Sequence, residues 1–93
     1  MNDIVQLEAL VKGNVQGVGF RRATKYLADD LRLTGFVRNL PDGSVEICAQ
    51  GEKNQLETFL SVLKEKFSAS HIDAIETHFC PPAKTYPDFR IVH

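Results

Sequence analysis

The chain lacks any long hydrophobic run. Its apolar stretches break off well short of the roughly 18 residues that span a bilayer. The start, Met1-Asn2-Asp3-Ile4-Val5-Gln6, carries an acid where a secretory leader is basic. No membrane segment is expected, and the expected compartment is cytoplasmic. Cysteine is scarce: Cys48 and Cys80 form no C-x-x-C pair and no framework, so reduced thiols are expected in place of a disulfide scaffold. A surplus of positive charge is also missing. Lys and Arg number 11 against 12 Asp and Glu, for a net charge of -1, so no global field draws nucleic acid to the surface. Any anion must be held by a local arrangement of donors. No internal repeat, linker or low-complexity segment is visible.

What is present suits one compact domain over residues 1–93. With 43% apolar residues the chain can build one core without metal or disulfide staples, and 25% charged residues argue against disorder. Val5, Leu7, Ala9 and Val11 alternate with Gln6, Glu8, Leu10 and Lys12, the period of a strand with one buried face. Three glycines within Gly13–Gly19 then break the pattern. From Phe20 the period becomes helical, through Ala23, Leu27 and Leu31, and a stop is expected near Thr34-Gly35, where glycine can turn left-handed. Phe36–Leu40 and Ser44–Gln50 read as strands around the turn Pro41-Asp42-Gly43. In the second of these, Val45, Ile47 and Ala49 share the buried face, leaving Glu46, Cys48 and Gln50 on an open one.

A second helix spans about Gln55–Phe67, with Leu56, Phe59, Leu60, Leu63 and Phe67 as its core stripe and Asn54 with Glu57 as a capping box. Ile72–Cys80 forms a further strand ended by Pro81-Pro82, and Phe89–Val92 a short last one. The order strand, helix, strand, strand, helix, strand is the α+β, ferredoxin-like βαββαβ layout: an antiparallel sheet with two helices on one face and a short extra C-terminal strand. In its usual 4-1-3-2 order the first strand separates Cys48 from Cys80, which makes a disulfide between them geometrically implausible.

The chemistry concentrates at Gly13–Arg21. A glycine-rich turn running into a helix N-terminus aims backbone N–H groups and the positive end of the helix dipole at one point, a ready phosphate site. Arg21, in the first helical turn, can grip two oxygens of the same anion through its planar guanidinium. Nucleotide motifs do not fit. Gly13 is followed five positions on by Val18, not by the second glycine of a P-loop, and Gly17-x-Gly19 is followed by Arg22, not by the third glycine of a dinucleotide motif. On the residues alone, an anion nest and a plain structural turn both stand.

Two longer segments add to this. Val11-Lys12-Gly13-Asn14-Val15-Gln16-Gly17-Val18-Gly19-Phe20-Arg21 resembles the N-terminal signature of the acylphosphatase family. Gly35-Phe36-Val37-Arg38-Asn39-Leu40-Pro41-Asp42-Gly43-Ser44-Val45, continuing to Gly51, resembles its second signature, in the expected order and spacing. The resemblance implies hydrolysis of the carboxyl-phosphate bond of a small acyl phosphate, releasing inorganic phosphate, with no metal and no cofactor. It places catalytic roles on Arg21, as phosphate-binding arginine, and Asn39, as the amide that orients the attacking water. The phosphate cradle falls on the backbone of Gln16, Gly17, Val18, Gly19 and Phe20. In some relatives the C-terminal end approaches the arginine, and here that end carries His93 in place of a common tyrosine.

Other residues read more plainly. Arg22 and Arg38 are expected to be solvated charges that raise the local potential for an anion. His78 and Cys80 share a strand face but no second pair completes a metal site; His71 and His93 show no partner in sequence. Two rival functions remain: a phosphate-sensing module without turnover, and an RNA-binding domain of the same architecture. The RNA reading fits poorly, because the third strand offers no aromatic on its open face. No nucleic-acid or membrane partner is expected, and the chain is expected to be a monomer.

Overall fold

The structure is a computed structural model that describes residues 3–93, the side chains of residues 68–70 excepted. Its elements are β1 (Ile4–Gly13), α1 (Phe20–Asp30), β2 (Thr34–Asn39), β3 (Val45–Glu52), α2 (Lys53–His71), β4 (Ile72–Cys80) and β5 (Phe89–Ile91). They make one five-stranded sheet in the order β4-β1-β3-β2-β5. The four long strands pair antiparallel, and β5 adds itself parallel to β2. The expected order therefore holds, and the tail strand makes the sheet mixed.

Alternation decides which face is covered. Leu7, Ala9 and Val11 of β1, Val37 of β2 and Val45, Ile47 and Ala49 of β3 pack against Leu56, Phe59, Leu63 and Phe67 of α2 and Phe20 and Ala28 of α1. α1 lies over β2 and β5, and α2 over β3, β4 and β1. Edge-to-face rings tie the layers together, Phe20 on Phe67 at 4.9 Å and Phe59 on Phe89 at 6.3 Å between centroids. Cys48 pairs with Glu8 and Cys80 with Gln6 on either side of β1, and both thiols are free.

Four local details differ from the sequence reading. The stripe of α1 centres on Phe20, Thr24 and Ala28, with Ala23, Leu27 and Leu31 half-buried at its margin. Thr24 is fully buried because its hydroxyl donates to the Phe20 carbonyl one turn back, at 2.8 Å, which satisfies the polar atom. The helix also ends earlier, without a glycine. Arg32 takes the left-handed conformation (φ 58) in a Schellman arrangement: its N–H donates to the Asp29 carbonyl and the Leu33 N–H to that of Ala28.

Gly35 instead serves inside β2, where a Cβ would stand 1.9 Å from the Cys48 carbonyl oxygen. At the start of α2, the side chain reaching back is Gln55, which accepts from the Glu52 N–H at 3.3 Å, so the capping frame begins two residues before the expected Asn54.

The fourth difference lies on the open face of β3. Gln50 is only 7% exposed and Gln6 on β1 only 3%. Residues 81–88 fold back across the sheet and cover them. Gln50 donates to the Gln6 side-chain oxygen (2.8 Å) and to the Lys84 carbonyl (2.6 Å), while the Ala83 N–H donates to Gln6. Tyr86 completes the cover, edge-on to Phe36 and in contact with the Cys48 thiol. Every polar atom of this amide pair that the cover desolvates thus finds a partner.

Two substitutions test these assignments in urea unfolding. Arg32→Gly is expected to raise stability by about 0.5–1 kcal/mol, relieving the left-handed arginine. Gly35→Ala is expected to cost more than about 3 kcal/mol, since backbone must move to admit the methyl group.

Candidate active site

The turn between β1 and α1 is built so that nothing of its own fills it. Gly17 (φ 79) and Gly19 (φ 82) both sit in the left-handed region and alternate with Gln16 and Val18, the dihedral pattern that turns successive N–H groups to one side. A Cβ at either glycine would meet no atom within 4 Å, so their glycine character answers to backbone shape. Gly19 is the N-cap of α1, and no side chain caps the helix; no acid occupies its first turn. The first N–H groups of a helix have no partner within it, so here they remain open to an anion.

Arg21 follows the fully buried Phe20. A cavity of about 420 Å³ opens beside it, lined by Gly17, Gly19, Arg21, Arg22, Ile91 and His93 together with the apolar Val15 and Phe20. No acid lines it. Neither Arg21 nor Arg22 makes an ion pair among the described residues, whereas Lys12, Lys25, Arg38 and Arg90 each hold a carboxylate. The tail brings His93 here because β5 is pinned twice: Lys25 donates to the Phe89 carbonyl at 3.0 Å, and the Val92 N–H to the Val37 carbonyl at 3.0 Å.

Asn39 is the last residue of β2 and shares the face of the core residue Val37 by strand alternation. Its Oδ1 is buried without a hydrogen-bond partner. It does not line the 420 Å³ cavity; the link between the two is Gln16. The Gln16 side chain donates to the carbonyls of Leu40 and Ser44, each at 2.9 Å, tying the glycine turn to the β2–β3 hairpin next to Asn39. Gln16 is therefore framework for the loop. At the hairpin tip the Ser44 hydroxyl and N–H both donate to Asp42, and these bonds hold its carboxyl below the usual carboxylate range.

A larger hollow, about 690 Å³, lies on the opposite face of the sheet among Glu8, Phe36, Glu46, Cys48, Glu76 and Tyr86. Its three carboxylates make it the wrong place for a phosphate. The thiols are also poor nucleophiles. Burial pushes Cys48 above the ordinary thiol range, and partial burial followed by the Glu8 carboxylate raises Cys80. His78 and Cys80 gather no third ligand among the described residues. Arg38 is a surface charge as expected, paired with Glu46 and lying over the Phe36 ring. His71 packs against Phe67. Arg22 is exposed, as expected, and its side of the helix also lines the cavity.

Removing the Gln16 tether, as Gln16→Ala, is expected to cost about 1 kcal/mol of stability and to lower kcat/KM by roughly tenfold as loop and hairpin lose their fixed spacing; urea unfolding and steady-state kinetics read the two effects separately. Thiol labelling provides a second check. At about pH 8, both cysteines of the native protein are expected to react more slowly than in denaturant; equal rates would contradict the raised thiols.

Comparison with known proteins places this geometry. The family model described as acylphosphatase matches residues 7–91. A Lactobacillus gasseri protein named acylphosphatase is 45% identical over 84 residues, covering 89% of this chain and 92% of its own. One from Thermus thermophilus is 46% identical over 74 residues, covering 80% and 84%. The crystal structure of acylphosphatase from Bacillus subtilis superposes with a TM-score of 0.89 at 36% identity, covering 96% of this chain and 99% of that one. With the family model spanning both signature segments and nearly the whole sheet, the chain belongs to the acylphosphatase family.

Proposed function

We propose that the chain hydrolyses acyl phosphates to a carboxylate and inorganic phosphate, with Arg21 and the 16–20 loop holding the phosphoryl group and Asn39 orienting water. The observation that carries this is the cavity in which the uncapped start of α1, the Gly17–Gly19 turn and an unpaired Arg21 meet with no Asp or Glu among them. The backbone N–H groups of Gln16, Gly17, Val18, Gly19 and Phe20 supply the cradle, and the Arg21 guanidinium neutralises two phosphoryl oxygens.

Water then attacks phosphorus in line with the bond to the acyl oxygen. That P–O bond breaks, its electron pair leaves on the carboxylate, and the proton of the water passes to a phosphoryl oxygen. A carboxylate is a good leaving group, so positioning and charge neutralisation are the main requirements and a strong base is dispensable. The buried Asn39 Oδ1, with no protein partner, supports the water-orienting role: it is an acceptor able to take an O–H from the nucleophile. No metal or cofactor is required in this scheme. We further assign the enzyme to the cytoplasm as a monomer acting on a free small substrate. Its two free cysteines suit a reducing compartment, and no helix among the described residues is long and apolar enough to cross a membrane.

Benzoyl phosphate hydrolysis in the presence of EDTA tests the scheme. Turnover is expected to persist with the chelator, to vanish in Arg21→Ala and Arg21→Lys alike, since lysine cannot form the bidentate fork, and to fall by about 10²–10³ in Asn39→Ala. Near-native turnover in Asn39→Ala would remove the water-orienting role. Saturable phosphate binding without turnover by the wild type would make the chain a binding module.

A further inference from the structure

The cavity at Arg21 is larger than a phosphate needs. A phosphate group takes the space of two or three waters, at about 30 Å³ each, so most of the 420 Å³ is left for the acyl part of a substrate. That remaining space is not uniformly apolar. Ile91 and Val15 line it, and so do Arg22 and His93.

Arg22 lies beside Arg21 in the first turn of α1, and side chains at adjacent helical positions do not face each other. Both arginines therefore cannot address the same phosphoryl oxygens with equal ease. Arg22, like Arg21, makes no ion pair among the described residues, and what sets the two apart from other unpaired cations is their place in the lining of a cavity that holds no Asp or Glu.

We infer that Arg22, together with His93, forms a second anion subsite beside the phosphate cradle, which selects acyl phosphates whose acyl group carries an anion of its own. The inference rests on the hydrolase reading for the position of the phosphoryl group and adds what the enzyme recognises at the other end of the substrate. Arg22 is a specificity-determining residue in this account. It attracts the distal anion into the cavity and takes no part in breaking the P–O bond, so its effect falls on KM more than on kcat.

Three substrates test it: the unsubstituted benzoyl phosphate and a para-substituted pair of similar shape, 4-methylbenzoyl phosphate and 4-carboxybenzoyl phosphate. The wild type is expected to favour the carboxylate over the methyl compound by roughly threefold to tenfold in kcat/KM, a preference that shrinks as salt screens the exposed guanidinium. Arg22→Gln is expected to lose most of that ratio through KM, Arg22→Glu to invert it, and His93→Gln to lower it. An unchanged ratio in Arg22→Gln, or a wild type indifferent to the carboxylate, would overturn the subsite.

Failure of the wild type on all three substrates would instead remove the hydrolase reading. The subsite is then decided by calorimetric binding of benzylphosphonate against 4-carboxybenzylphosphonate. Tighter binding of the second by the wild type but not by Arg22→Gln supports it, and equal binding rejects it.

Discussion

The burial of Phe20 is the constraint from which the site takes its shape. Its ring is fully enclosed and meets Phe67 of α2 edge-on, which fixes where α1 begins and how it is rotated. Since neighbours on a helix point in different directions, a Phe20 locked into the core leaves Arg21 at the rim and Thr24 beneath, where its hydroxyl bonds back to the Phe20 carbonyl. The helix start is thus anchored by apolar packing, and its open N–H groups are spared from having to secure it. A side-chain cap in their place would stabilise the helix and occupy the donors that an anion needs.

Two further tethers hold the parts at fixed spacing. Gln16 binds the turn to the β2–β3 hairpin through two carbonyls, and Lys25 binds β5 to α1. Both are side chains reaching over long sequence separations to backbone atoms, so they act as struts between elements. Donors held in advance of a reaction need little reorganisation when charge develops, so under the proposed mechanism the struts serve more than stability.

Much of this was legible in the sequence, and the exceptions have physical reasons. Alternation at Leu7, Ala9 and Val11 and the helical spacing of Leu56, Phe59 and Leu63 gave the right faces because apolar burial is the strongest local signal. The glycine turn with Arg21 was legible as an anion nest from its residues, though a plain turn fitted them as well, and the role of Asn39 entered only through the resemblance to a known family. Thr24 and the Gln6–Gln50 pair were missed because their burial depends on partners that no local pattern announces: a carbonyl one turn back for the first, the folded-back residues 81–88 for the second. The end of α1 was misplaced because glycine is the commoner left-handed residue, yet at Gly35 its role is to let β2 approach the Cys48 carbonyl. The wall formed by Ile91 and His93 depends on the parallel docking of β5, which a period-based reading leaves undirected.

The three residues of β5 serve two ends at once. They cover the edge of β2, whose N–H and C=O groups would otherwise invite pairing with another chain, and they carry the chain on to His93 beside Arg21. Short terminal strands open and close more readily than the body of a sheet. The bonds that pin this strand to α1 and β2 therefore also set where Ile91 and His93 stand in the cavity wall. One short stretch of chain thus closes the edge of the sheet and walls the cavity.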